Sequence, residues 1–67
     1  MTLHGTVEAG VEAGCLLLNG YLLLGGDHDV VVAGAEVVVE GTPAPGTMTT
    51  CQQGIPFHVT KAERARP

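Results

Sequence analysis

Two cysteines, three histidines and an adjacent pair of glutamines are the side chains of this 67-residue chain with the most chemistry to offer. Five of them or their neighbours, Cys51, Gln52, Gln53, Phe57 and His58, crowd into the stretch TTCQQGIPFHV at 49–59. Cys15 and Cys51 admit three arrangements. They can pack as buried thiols, since free cysteine behaves as a small hydrophobe. They can form a disulfide, which over so long a loop contributes roughly 3–4 kcal/mol but is disfavoured in a reducing cytoplasm. They can join His4, His28 or His58 around a metal. The spacing argues against the metal, because structural zinc sites draw ligands in close pairs such as C-x₂₋₄-C or H-x₃₋₅-H. Cys51 and His58 instead stand alone, and no C-x-x-C is present. No metal and no cofactor is assigned.

The remaining chemistry is sparse. DHD at 27–29 offers three ligand types in a row, but neighbours on an extended segment point to opposite faces. A polar turn, with Asp bonding its own backbone, is the expectation there. The chain has no serine, no G-x-S-x-G and no glycine-rich phosphate loop, so nucleophilic triads lack a member. A non-enzymatic protein is expected. Weak binding candidates are Gln52 and Gln53, two amides without a charged partner, and the rings of Tyr21 and Phe57 as a platform. Phe57, the one phenylalanine, is read first as a core anchor.

Short strands must position these residues. Val, Leu and Thr come in bursts separated by ten glycines and four prolines, with no stripe of helical period. Residues 2–9 alternate apolar and polar, as a half-buried strand does. The tandem VEAG at 7–14 is too short for a solenoid repeat, and its glycines suggest a bulge or bend that lets a long first strand coil, with CLLL at 15–18 its continuation or the start of the next segment. Asn19-Gly20 is a hairpin signal joining CLLL to YLLL. GGDHD at 25–29 is a loop, 30–41 a long strand bent at Gly34, and TPAPG at 42–46 a proline-stiffened loop. Strands are expected at 47–53 and 55–65, with Pro56 opening the last one and 61–67 a polar tail that turns or frays.

Five strands, the first long and bent, match an all-β, small Greek-key barrel of the OB type. HGTVEAGVEAGCLLL, VAGAEVVVEGTPAP and PFHVTKAE resemble the first, third and fifth strands of that layout, and V-x-G-A-x-V-V-V-E-G resembles an OB third strand. The chain is also similar to small bacterial OB-like domains of unknown function that carry GCLLL early and TCQQGxPF late. The resemblance implies one domain over 1–67. It also implies pairing of the first strand with the fourth, which brings Cys15 near Cys51. TPAPGTM leaves no room for the helix OB folds often carry, so an SH3-like barrel stays open as the alternative.

Composition bounds the partners. A chain this short buries only about 60% of its unfolded surface, yet 45% of its residues are hydrophobic and 15% charged. An exposed apolar patch marks an interface, so a homo-oligomer or a protein partner is expected. The valine triplets at 30–32 and 37–39 read as strands covered on both faces, one of them against a copy or a partner. Net charge is −4, and no lysine or arginine precedes Lys61, which argues against nucleic acid. No apolar run approaches the roughly 20 residues of a membrane span, and MTLHGTVEAG has no signal-peptide pattern. A cytoplasmic, self-associating interaction module is the expected function. A ligand, metal or thiol-redox sensor using Cys15, Cys51 and His58 is the alternative.

Overall fold

The computed structural model describes residues 1–65 and contains six strands and no helix among them. They are β1 (Thr2–Thr6), β2 (Glu8–Ala9), β3 (Leu16–Leu18), β4 (Tyr21–Leu24), β5 (Glu36–Pro43) and β6 (Ile55–Arg64). One sheet joins them in the order β1-β5-β6-β4-β3-β2. The two ends of that order, β1 and β2, are separated in the chain by Val7 alone. The sheet must therefore curl until its ends nearly meet, which makes a nearly closed barrel.

Val7 is the corner. Its amide donates to Ala35 O at 2.9 Å and its carbonyl accepts from Gly34 N at 2.8 Å, while its side chain is buried in the core. Counting β1 and β2 as one bent strand gives five, in the order first, fourth, fifth, third, second, first. All pairs are antiparallel except β4 with β6. This is compatible with the OB-like barrel expected from the sequence.

Several expected boundaries move. Of the two placements open for 15–18, the next segment is the one formed: Leu16–Leu18 is β3, which pairs back onto β2 through Ala9↔Leu16 and Glu8↔Leu17. Residues 47–53 form no strand, and β1 pairs instead with Glu36–Glu40. The valine-rich string is thus the fourth strand in the five-strand count, not the third. Its first half, 30–35, leaves the ladder because Asp27 starts a single tight turn. Val30 N and Val31 N both donate to Asp27 O, at 3.0 and 2.8 Å, and Asp29 N donates to Asp27 Oδ1 at 2.9 Å. That is the Asp-bonded polar turn expected for DHD. The polar tail is shorter than expected, since Lys61–Arg64 belong to β6; residues 66 and 67 lie outside the described residues.

The hairpin expectation holds. Asn19 and Gly20 have φ of 52° and 84°, positive at both central positions as a type I′ turn requires. Asn19 Nδ2 also donates to His4 O at 3.1 Å, bridging the seam between β3 and β1.

Inside the barrel, Leu3, Val7, Leu18, Leu23, Val31, Val37, Val39 and Phe57 form one cluster. Strand alternation explains the valines: Val37 and Val39 point in, while Val38 lies half-buried on the outside. Within the chain, the second triplet is thus covered on one face, by the core that Val37 and Val39 enter. Val31 plugs the core from the turn, Val30 is half-buried and Val32 is exposed. Gly41 marks a register shift in the β5–β6 ladder, and a Cβ there would overlap the His58 carbonyl oxygen and sit 2.8 Å from Phe57 Cε1. The ladder can wrap over the phenyl ring because that side chain is missing.

Candidate functional site

Two surfaces of the barrel hold groups that can do more than pack. The first is a pair of loops at one end. Residues 10–15 form a tight return in which Gly10 N donates to Cys15 O at 2.6 Å and Cys15 N to Glu12 O at 3.2 Å. Residues 44–54 form the connection from β5 to β6, closed at its start by Ala44 N to Pro56 O at 2.8 Å and Thr47 N to Ala44 O at 2.9 Å.

A Cys15–Cys51 disulfide joins them, with the two Cα atoms 6.0 Å apart. Of the three arrangements open in the sequence, this is the one formed. Its cause differs from the expected one. Neither cysteine lies in a strand, so the pair meets because one loop folds onto the other, not because two strands close the barrel.

The glutamines serve the same contact. Gln53 Oε1 accepts from Val11 N at 2.9 Å, and Gln52 N donates to Glu12 Oε1 at 2.9 Å. Gln52 Nε2 reaches its own loop at Thr49 O, 3.5 Å away. Each is thus a strap between or within loops. Cys51, Gln52, Gln53, Met48, Thr47 and Pro45 border an open groove of about 390 Å³. Cys15 is buried and Cys51 half-buried, so Cys51 is the more exposed residue of the pair. Met48 is 95% exposed.

The other candidates go elsewhere. Phe57 is fully buried, and its ring meets Tyr21 edge-on, with centroids 5.5 Å apart and planes at 63°. Such a pair contributes roughly 0.5–1.5 kcal/mol beyond area burial. The two rings consolidate the core: the Phe57 ring is closed to solvent, and Tyr21 is half-buried at its rim. The histidines scatter: His4 Nε2 lies 3.2 Å from Glu36 Oε2, His58 Nε2 lies 3.2 Å from Thr47 Oγ1, and His28 sits exposed in the 27–31 turn. His58 is therefore tied to the loop by Thr47. Among the described residues, no three His, Cys, Asp or Glu side chains group so as to hold a metal ion.

The second surface was missed in the sequence. β6 is ten residues long, but its parallel partner β4 is four, and their pairing stops at Leu24↔His58. Beyond that point β6 has β5 on one side and no strand on the other among the described residues. Ladder parity says which groups this leaves. Ala65 N donates to Glu36 O at 3.0 Å, so Ala65, Glu63 and Lys61 turn their main chain toward β5. In a strand the alternate residues face the other way, so Ala62 and Arg64 direct N–H and C=O outward. The Arg64 side chain does reach across, donating to Asp29 O at 3.0 Å. The main-chain row itself has no main-chain partner among the described residues. A length mismatch between YLLL and the final strand was the signal available for this.

The fold and its surfaces define a small β-barrel with one stapled loop end and, at β6, a strand that outruns its parallel neighbour. No protein-family description, curated protein or solved structure matches the chain. No helix among the described residues is long and apolar enough to cross a membrane.

Proposed function

We propose that this protein is a non-enzymatic interaction and assembly module that self-associates by strand addition at β6. The observation that carries the reading is the outward row of Ala62 and Arg64 main-chain groups. An unpaired row of N–H and C=O groups is a template for another strand, and extended segments bind such edges with main-chain hydrogen bonds. A barrel removes edges by closing on itself; here the β1 seam is bridged by Asn19 to His4 O, whereas β6 runs on past the end of β4.

Amide hydrogen exchange tests this directly. In dilute solution Lys61 and Glu63 should be protected by β5, while Ala62 and Arg64 exchange freely. Raising the protein concentration should bring protection to Ala62 and Arg64. Protection of all four that is independent of concentration would mean the chain covers its own edge, and would refute the proposal.

A second reading, a thiol-redox switch, draws support from the half-buried Cys51 at the groove. Disulfides in cytoplasmic proteins are mostly transient or redox-sensing, whereas those in oxidising compartments persist. A cytoplasmic location is therefore compatible with the staple only if the bond responds to reductant. Redox titration in a glutathione buffer decides: a midpoint within the cytoplasmic range supports a switch, and resistance to it makes the staple structural and the compartment oxidising.

A further inference from the structure

We infer that the partner at the β6 edge is a second copy of this chain, held antiparallel about a two-fold axis passing beside Ala62. The inference rests on the edge reading above and adds the register. In a two-fold antiparallel pair, position i of one copy faces position j of the other with i + j constant. Facing residues must share ladder parity, so the constant is even and some residue faces its own counterpart.

The charges choose which one. Centring on Lys61 sets two ammonium groups opposite each other. Centring on Glu63 does the same with carboxylates, and on Arg64 with guanidinium groups. Like charges directly opposite are destabilising. Centring on Thr60 meets the register shift between Glu40 and Gly41. Ala62 remains.

With Ala62 facing its counterpart, the two alanines exchange both N–H···O=C bonds. Lys61 then faces Glu63 of the second copy, and Glu63 faces its Lys61. Both contacts are non-hydrogen-bonded pairs, where Cα atoms approach to about 4.5 Å and side chains are closest. Lys61 and Glu63 already pair within one chain at 3.2 Å, with side chains 61% and 63% exposed. The second copy thus completes a ring of four alternating charges. Since both copies use the same segment, the contact is isologous and closes at two.

The contact is short, so association belongs at the weak end of protein interfaces and is followed up to about 1 mM protein. Sedimentation velocity on the full chain compares wild type, E63K, K61E, the double reversal K61E/E63K, and Ala62→Pro, with circular dichroism confirming the strand signal of each. Each single reversal creates two like-charge pairs by symmetry and should weaken dimerisation about tenfold or more. The double reversal should regain the affinity lost in K61E, both variants sharing the same carboxylate opposite Glu40 of their own chain. Ala62→Pro removes an outward donor without touching the β5 ladder, and should abolish the dimer. A wild-type dimer lost in Ala62→Pro but indifferent to single reversals, or not regained from K61E by the double one, overturns the register and leaves the edge reading standing. A wild type that stays monomeric throughout overturns both.

Discussion

Opening the Cys15–Cys51 bond tests whether the staple or the barrel core holds the loop end in place. The bond spans 36 positions. Closing a loop of that length in the unfolded chain removes entropy of about 2.1 + 1.5R ln n cal/mol/K, or about 4 kcal/mol at 25 °C. A native domain of this size has stability of roughly 0.05–0.15 kcal/mol per residue, on the order of 3–10 kcal/mol in all. Reduction should therefore cost a large share of it.

The folded state should nevertheless keep its sheet. Cys15 is buried but lies outside the cluster around Phe57. The segment 48–54 has no main-chain hydrogen bond to another main chain among the described residues, so nothing in the ladder depends on it. What remains after reduction is the Gln53 strap to Val11 and the Glu12 strap to Gln52, each worth about 1 kcal/mol. The assay is urea unfolding with and without a phosphine reductant, repeated on the C15A/C51A variant. The expected loss is about 4 kcal/mol, equivalent to a Tm lower by roughly 4–8 °C per kcal/mol. Chemical shifts should change at 44–54 and 10–15 and persist in β5 and β6. A loss below about 1 kcal/mol would refute the loop-entropy argument. Collapse of the β5–β6 shifts under native conditions would refute the independence of the barrel core.

Two further substitutions probe the barrel. Gly41→Ala should destabilise by about 1–3 kcal/mol, because its Cβ meets the His58 carbonyl and the Phe57 ring; thermal unfolding measures it, and an unchanged Tm would remove the close approach as the reason for glycine there. Asn19→Ala loses both a residue tolerant of positive φ and the Nδ2 bond to His4 O, and should cost about 1–2 kcal/mol. Amide exchange in β1 should rise with it, and β1 protection equal to wild type would deny the seam its bridge.

Much of the barrel was legible because its signals are local. Asn-Gly declares its turn through backbone sterics alone, the alternation in 2–9 declares a half-buried face, and Asp27 declares the turn that follows it. What could not be read was tertiary. Val30–Val32 and Val37–Val39 are the same triplet in the sequence, yet only the second is a strand. Asp27 captures the amides of Val30 and Val31 and diverts the first triplet into a plug. TMTTCQQ has strand composition but receives no partner, since β1 has already taken β5. Composition cannot tell a strand from a loop that another segment displaced. The cysteines were rightly brought together for the wrong reason, and that matters for function. Two thiols facing across a barrel seam would make the bond part of the wall. Two loops stapled outside the ladder make it separable from the wall, so opening the bond should leave the β5–β6 ladder in place.

The two surfaces are then independent in a definite sense. The β6 edge is built from the β5 ladder, whose parity is set by Glu36, Val38 and Glu40 facing β6 and Val37, Val39 and Gly41 facing β1. None of those bonds passes through residues 44–54. A reduced chain that keeps its β5–β6 shifts should still dimerise with unchanged affinity, whereas Ala62→Pro should lose the dimer in either redox state. If reduction instead weakened the dimer, the loop end would have to be touching the second copy, and an axis beside Ala62 could not be the whole contact. Affinity measured in both redox states thus decides between one surface and two.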